Sequence, residues 1–362
     1  MTETAQIAKL TSFRQAGLWL LRSGIQEGNG GVARYYRSDL GRNARISLEI
    51  TGYAVSTLLY FHRLTRQDEY LARALDAARL LREAGPLYPF ELARPGEEPC
   101  QHAYFFDTGI ILRGLMAAWR QTGDRSWLDA AAEAGHTMIR AFMGGGLPHP
   151  IVRLADLSPA PDAGRWAGRP GCYQLKSATA WRWLYEETAD MAFLDAWEES
   201  LDLCLQVRDR FLPGDSDPRK IMDRLHAYCY FLEGLLHAAE RAPCARAIVE
   251  GIDRVGHYLR QIEDVFVRSD VYAQLLRLRV YAANFGLIGL AEPHAAREAV
   301  SAASLQLGGS VTALSGGFAF GREQNRLMPY VNPVSTAFCA QAIELWERRG
   351  ASSSALDPHD LI

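Results

Sequence analysis

Hydrophobic positions along this chain fall into two kinds of helical run. In Trp127, Leu128, Ala131, Ala132, Gly135, Met138, Ile139 and Phe142 the apolar residues recur at three- and four-residue intervals. That spacing makes one stripe on a helix lying at a surface. Phe105–Trp119 is instead apolar nearly all round, interrupted chiefly by Asp107 and Arg113, which predicts a helix covered on most sides. The two kinds alternate. GYAVSTLLYFHRLTRQDEYLARALDAARLL (52–81) matches TGIILRGLMAAWRQTGDRSWLDAAAEAGHTMI (108–139) and YQLKSATAWRWLYEETADMAFLDAWEESLDLCL (173–205). Each joins a buried helix to an amphipathic one opened by an aromatic–Leu pair: Tyr70-Leu71, Trp127-Leu128 and Phe193-Leu194.

Weaker copies cover 226–252 and 269–283. VNPVSTAFCAQAIELWERR (331–349) supplies a last buried helix, whose partner is the N-terminal helix around Ile7–Leu21. Repeats of this kind stack and share one core. Six buried helices alternating with six amphipathic ones predict an all-α fold, an (α/α)6 barrel with an inner and an outer ring. The expected organisation is a single barrel domain over 1–350 and a flexible tail over 351–362.

The predicted connections are lopsided. Turns from inner to outer helix are brief (Thr65–Asp68, Gln121–Asp124, Thr188–Asp190), whereas several returns are long: Ser23–Leu48, Gly85–Tyr104, Gly144–Cys172 and Leu307–Val331. Long loops in a compact domain usually carry function. These four are expected at the end where inner helices begin, and three share Gly-Gly punctuation: GNGGVARYY, GGGLPHP and LSGGFAFG.

Composition narrows the partner class. The 362 residues are 48% hydrophobic and 22% charged, with net charge −3, so no basic excess invites nucleic acid. The N-terminus lacks the charged-then-apolar order of a secretory signal, and no apolar run approaches the roughly 20 residues of a membrane span. Six scattered cysteines do not form a disulfide framework. The expectation is a reduced, cytoplasmic protein with no membrane partner; its oligomeric state is not written in the sequence.

Candidate chemistry gathers at the predicted helix starts. Asp107 and Glu49 occupy almost equivalent positions in adjacent repeats and read as paired carboxylates for glycosidic hydrolysis. His149, His226 and Tyr173 read as bases for proton abstraction beside a uronate carboxylate, giving elimination or epimerisation. Tyr53, Tyr104, Trp166 and Tyr330 offer faces for sugar rings, and Arg322 and Lys176 offer positive charge. Asn332 and Asp270 complete the expected substrate set. The simpler alternatives are a helix-capping role for Asp107 and Glu49, and core packing for the aromatics.

Other chemistries fit less well. One Asp-Thr-Gly triplet on a helix is not the paired β-lobe triplet of an aspartic protease. Cys100, His102, Cys172, His226 and Cys229 contain zinc-type ligands but lack tight spacing, so no metal or other cofactor is expected. Terpene-cyclase acid motifs and a glycine-rich phosphate loop are missing too.

LEITGYAVSTLLYF, FFDTGIILRGL and VNPVSTAFCAQAIELW resemble segments of the six-hairpin glycosidase superfamily, which includes unsaturated glucuronyl hydrolases and the barrels of polysaccharide lyases and uronyl epimerases. They also look like segments of barrel proteins labelled terpene-cyclase-like or polysaccharide-associated. The resemblance implies the barrel fold and a saccharide substrate. It also implies that Asp107 is the counterpart of the Asp that protonates the unsaturated sugar. The leading expectation is therefore a glycoside hydrolase acting on an acidic or oligomeric saccharide. The alternatives are a lyase or uronyl epimerase, and a noncatalytic saccharide-binding protein.

Overall fold

The computed structural model describes residues 3–161, 165–324, 326–349 and 355–362, with side chains from Ser12 onward. Twelve α-helices occur among them: α1 (Glu3–Arg22), α2 (Leu48–Thr65), α3 (Asp68–Glu83), α4 (Phe105–Thr122), α5 (Arg125–Phe142), α6 (Leu175–Thr188), α7 (Met191–Val207), α8 (Pro218–Leu235), α9 (Ala242–Ile262), α10 (Ser269–Asn284), α11 (Glu292–Ala303) and α12 (Pro333–Arg348). The chain divides into two compact units. The first comprises Glu27–Ala33 and Arg45–Phe211; the second comprises Met1–Gln26, Arg34–Ala44 and Leu212–Ile362.

The first unit is three helical hairpins, α2–α3, α4–α5 and α6–α7, each turned by two residues. One local device makes all three turns. Thr65, Thr122 and Thr188 each donate a hydroxyl to the carbonyl four residues back, and each accepts the amide of the residue two ahead. The residue between is left-handed in every case: Arg66 (φ 58°), Gly123 (φ 69°) and Ala189 (φ 55°). Asp124 and Asp190 then cap the following helix by accepting from Ser126 N and Ala192 N.

The apolar helices of this unit approach at backbone distance. A Cβ on Gly52 would meet Ile110 O and Ile111 Cα, both at 2.9 Å, and one on Gly114 would meet Gly52 O at 2.8 Å. A Cβ on Gly109 would lie 2.5 Å from Ser177 O. The Thr-Gly of FFDTG thus has a packing cause. Thr108 donates to Tyr104 O, and Gly109 lets α4 lie against α6.

The second unit pairs α8 with α9, α10 with α11, and α12 with α1. Its centre is held by charge instead of glycine. Arg277 on α10 is fully buried and donates to Glu233 on α8 (2.5 Å), Gln341 on α12 (2.9 Å) and Ile362 O (3.1 Å). Its guanidinium lies 3.9 Å from the Phe338 ring centre. Short strands brace the helix entries: Tyr36–Arg37 pairs with Arg42–Asn43 and with Tyr330–Val331, while Phe266–Arg268 pairs with Gly321–Glu323.

Two expectations need correction. The fourth apolar helix starts at Pro218, capped by Asp217, about two turns before the 226 start read from the repeat, so His226 is inside a helix. The predicted flexible tail is anchored over 355–362, because Leu361 and Ile362 are buried and Gln341 bonds both Asp360 O and Ile362 N. Residues 351–354 lie outside the described set.

The Gly-Gly punctuation also acquires a cause. In GGVA, Gly30 (φ 88°) faces the α3 backbone at Asp76 O, and Val32 N donates to Thr51 of α2. In GGFA, Gly316 (φ 95°) faces the α1 backbone at Gln15 O, and Phe318 N donates to Thr336 of α12 at the same 3.0 Å. Each loop therefore satisfies a buried amide on a helix-start threonine. The third copy differs: Gly144 makes room for the His149 ring, whose Nε2 lies 2.7 Å from where a Cβ would be.

Candidate functional site

The second unit contains a polar cluster built by α8, α10 and the strand entering α10. His226 sits in the third turn of α8, with 12% of its side chain exposed. Its Nδ1 is 2.8 Å from Gln274 Oε1 on α10. The Gln274 amide is oriented by its own nitrogen, which donates to His226 O at 3.4 Å. Oε1 thus faces the ring and takes the Nδ1 proton, which leaves Nε2 as the nitrogen with a lone pair. Asp270 Oδ2 lies 3.5 Å from Nδ1, close enough to stabilise a positive ring. Burial first, and then the Arg268 charge, push the His226 pKa down to about 4, so the ring is neutral at neutral pH.

Arg268 organises the cluster. It grips Asp270 with two hydrogen bonds (3.0 and 2.6 Å) and Asp223 with a third (2.7 Å). Burial raises the Asp270 pKa, but Arg268 and His226 outweigh it and hold the carboxyl below its usual range. The Arg268 guanidinium also stacks 4.4 Å from the Phe320 ring centre. Phe320 meets Tyr330 edge-on, and Tyr330 meets Tyr35 edge-on at 5.0 Å. Tyr230 packs on His226 itself at 4.5 Å. A neutral imidazole base thus lies in one connected cluster with a carboxylate and half-exposed aromatic rings. Such a cluster can move a proton and hold a ring-shaped polar molecule.

The remaining predicted residues separate by unit. In the second unit Asn332 caps α12 by accepting from Val334 N and Ser335 N, and Arg322 is exposed on its strand. In the first unit Lys176 is buried, its ammonium 5.3 Å from the Tyr53 ring centre. Asp107 is buried in the third position of α4; the capping position itself belongs to Tyr104, whose ring packs on Phe90. Glu49 is half-buried in the first turn of α2, where Ser47 is the cap. Tyr173 is buried among Trp166, Phe106 and Phe211, and shares its hydroxyl proton between Ala167 O and Arg169 O. Burial, followed by Cys172 and Asp107, raises its pKa well above the ordinary phenol value, which suits an anchor more than a base. Among the described residues no group of three or more His, Cys, Asp or Glu side chains comes together as a metal site.

No family model matches the chain, and no curated protein matches it. Solved structures do. A sugar epimerase from a ruminal bacterium superposes with TM-score 0.69 at 12% identity, covering 92% of this chain and 98% of that one. A D-mannose isomerase gives TM-score 0.68 at 10% identity, with 95% and 98% covered. The unsaturated glucuronyl hydrolase of Bacillus sp. GL1 gives 0.63 at 16% identity, with 93% and 97% covered. The fold is the (α/α)6 barrel that these enzymes share. No described helix is long and apolar enough to cross a membrane.

Arg268, Tyr230 and Phe320 were not readable as partners of His226. The signal available was local: Arg268 and Asp270 flank Ser269 at a helix start, the spacing that lets one side chain clamp the other. Joining that pair to His226 required the packing of α10 on α8.

Proposed function

We propose that the protein moves a proton at the carbon beside the carbonyl of a sugar, an isomerase or epimerase chemistry with His226 as the base. The observation that carries this reading is the contact of His226 Nδ1 with Gln274 Oε1, with Asp270 behind it, an arrangement that leaves Nε2 to accept a proton. Nε2 takes the proton from C2 of the open-chain aldose, and the C–H electron pair forms the C1–C2 double bond as the carbonyl electrons move to O1. Returning the proton to C1 on the same face, while the O2 hydroxyl proton passes to O1 and C2 becomes the carbonyl, gives the ketose, and a single carbon base suffices. Returning it to C2 from the opposite face gives the epimer and needs a second donor. Asp270 stabilises the imidazolium between the two transfers, and Tyr330 and Tyr35 offer the sugar apolar faces. The epimerase and isomerase among the similar structures support the same chemistry.

The test is proton exchange. Incubating wild type in D2O with a panel of aldoses and ketoses should place deuterium at C1 or C2, read by NMR. His226→Ala should lose about 10²–10⁴ in turnover while folding normally. If that variant keeps full turnover, or no sugar exchanges, the assignment is wrong.

Hydrolysis is the second reading, and a specific arrangement favours it. Glu49 and Asp107 each lie three residues before a site where α2 and α4 touch, Gly52 on Ile110, so both carboxylates leave their helices at one level. Buried Asp107 suits the acid and half-exposed Glu49 the ionised partner. A new reducing end, abolished by Asp107→Asn and unaffected by His226→Ala, would favour hydrolysis.

A further inference from the structure

Away from His226, a groove opens between α9, the C-terminal half of α10 and the segment leading into α11. Arg279 lines it, about 13 Å along α10 from Asp270. This arginine is 7% exposed, and it meets Glu298 through Nε alone, at 2.9 Å to each carboxylate oxygen. Its Nη1 and Nη2 donate to no described residue, which leaves the planar end of the guanidinium for the groove.

A second cation converges on the same place. A Cβ on Gly256 would meet Arg279 Nη2 at 3.0 Å and Arg260 Nη1 at 3.1 Å. The two guanidinium tips are therefore within about 6 Å of each other, a separation at which like charges repel unless an anion lies between them. Glu298 is one such anion, but burial, against the pull of Arg279 and Arg260, raises its pKa to about 7. At neutral pH it carries only part of a negative charge against two full positive ones. Exposed His294 stands at the groove as a further donor, and exposed Asp253 is the one carboxylate on its lining.

We infer that this groove binds a phosphate group, gripped by the Nη1–Nη2 end of Arg279 and by Arg260, with His294 at its rim. Arginine's planar fork matches two oxygens of a tetrahedral oxyanion, and glycine at 256 leaves both arginines room to reach it. The site lies outside the His226 cluster, so it does not depend on the reaction assigned there.

The test is titration of the full chain with inorganic phosphate, followed by calorimetry and by thermal melting, against chloride at matched ionic strength. Saturable binding is expected, and Arg260→Gln should weaken it about tenfold. The double variant Arg279→Met/Glu298→Leu replaces the buried pair by apolar side chains and should abolish binding with the helical signal intact. Glycerol phosphate titrated in parallel should bind tighter than the free ion if a phosphomonoester is the ligand, and more weakly if phosphate itself is. Phosphate that acts no differently from chloride overturns the proposal, as does an affinity unchanged in Arg260→Gln. Should the double variant not fold, the Arg260→Gln titration decides alone.

Discussion

The two units pack the same kind of apolar helix by opposite means. In the first, Gly52, Gly109 and Gly114 remove side chains from the contacts, and α2, α4 and α6 meet backbone to backbone. In the second, Arg277 on α10 donates to Glu233 of α8 and Gln341 of α12 and stacks on Phe338. Glycine packing leaves no space for polar chemistry at the point of contact. Arginine packing brings charge inside and obliges neighbours to supply partners. The His226–Asp270–Arg268 cluster is that second solution repeated nearer the start of α10, with a titratable ring added.

Glu233→Ala should have the largest effect, since it leaves the Arg277 charge buried without its carboxylate. A loss of about 3–5 kcal/mol in denaturant unfolding is expected, and replacing both Arg277 and Glu233 by Leu should cost far less. If the single and double changes cost the same, the arginine is not acting through charge.

Gly109→Ala comes next. Its methyl would press on the backbone of Ser177, so about 1–3 kcal/mol should be lost, seen as a lower urea midpoint at unchanged slope. The same change at Gly123, where a Cβ meets nothing within 4 Å but φ is 69°, tests conformation without contact.

The smallest effect is a slope. His226 has a folded pKa near 4 against an ordinary value of 6.5, so as pH falls through 6.5 the unfolded chain takes up a proton that the folded chain refuses. Stability is lost across that window. Glu298 works in the opposite sense: its folded pKa is raised from 4.5 to about 7, so the stability it contributes is lost as pH rises through that range. Melting temperatures at several pH values should therefore show a shallower acid-side loss in His226→Asn than in wild type. An unchanged slope would mean the ring is not held neutral by its burial.

Much of the fold was legible because helical periodicity is a local property. A residue's place on a three- or four-residue stripe depends only on its neighbours in the chain. The short turns were legible for the same reason, because Thr65, Thr122 and Thr188 act on amides two residues away. The C-terminal residues were misread because their polarity looked like solvation, whereas their backbone is bonded to Gln341 and Arg277, whose own side chains point inward.

For the candidate site, residue type and periodicity show which side chains could do chemistry and roughly which helix carries each. Residue type offered Asp107, Glu49, His149, His226 and Tyr173 as acids or bases and Asp270 and Tyr330 as substrate contacts, with Asp107 put first. The packing sets what each of these side chains touches. Asn332 became a cap, Tyr173 an anchored core phenol and Lys176 a cation under a ring, because burial and partners separate residues that composition treats alike. His226 stood out only once Gln274, 48 residues away, met its Nδ1. Protonation state and the direction of a lone pair depend on what lies across the helix interface, and no local pattern encodes that.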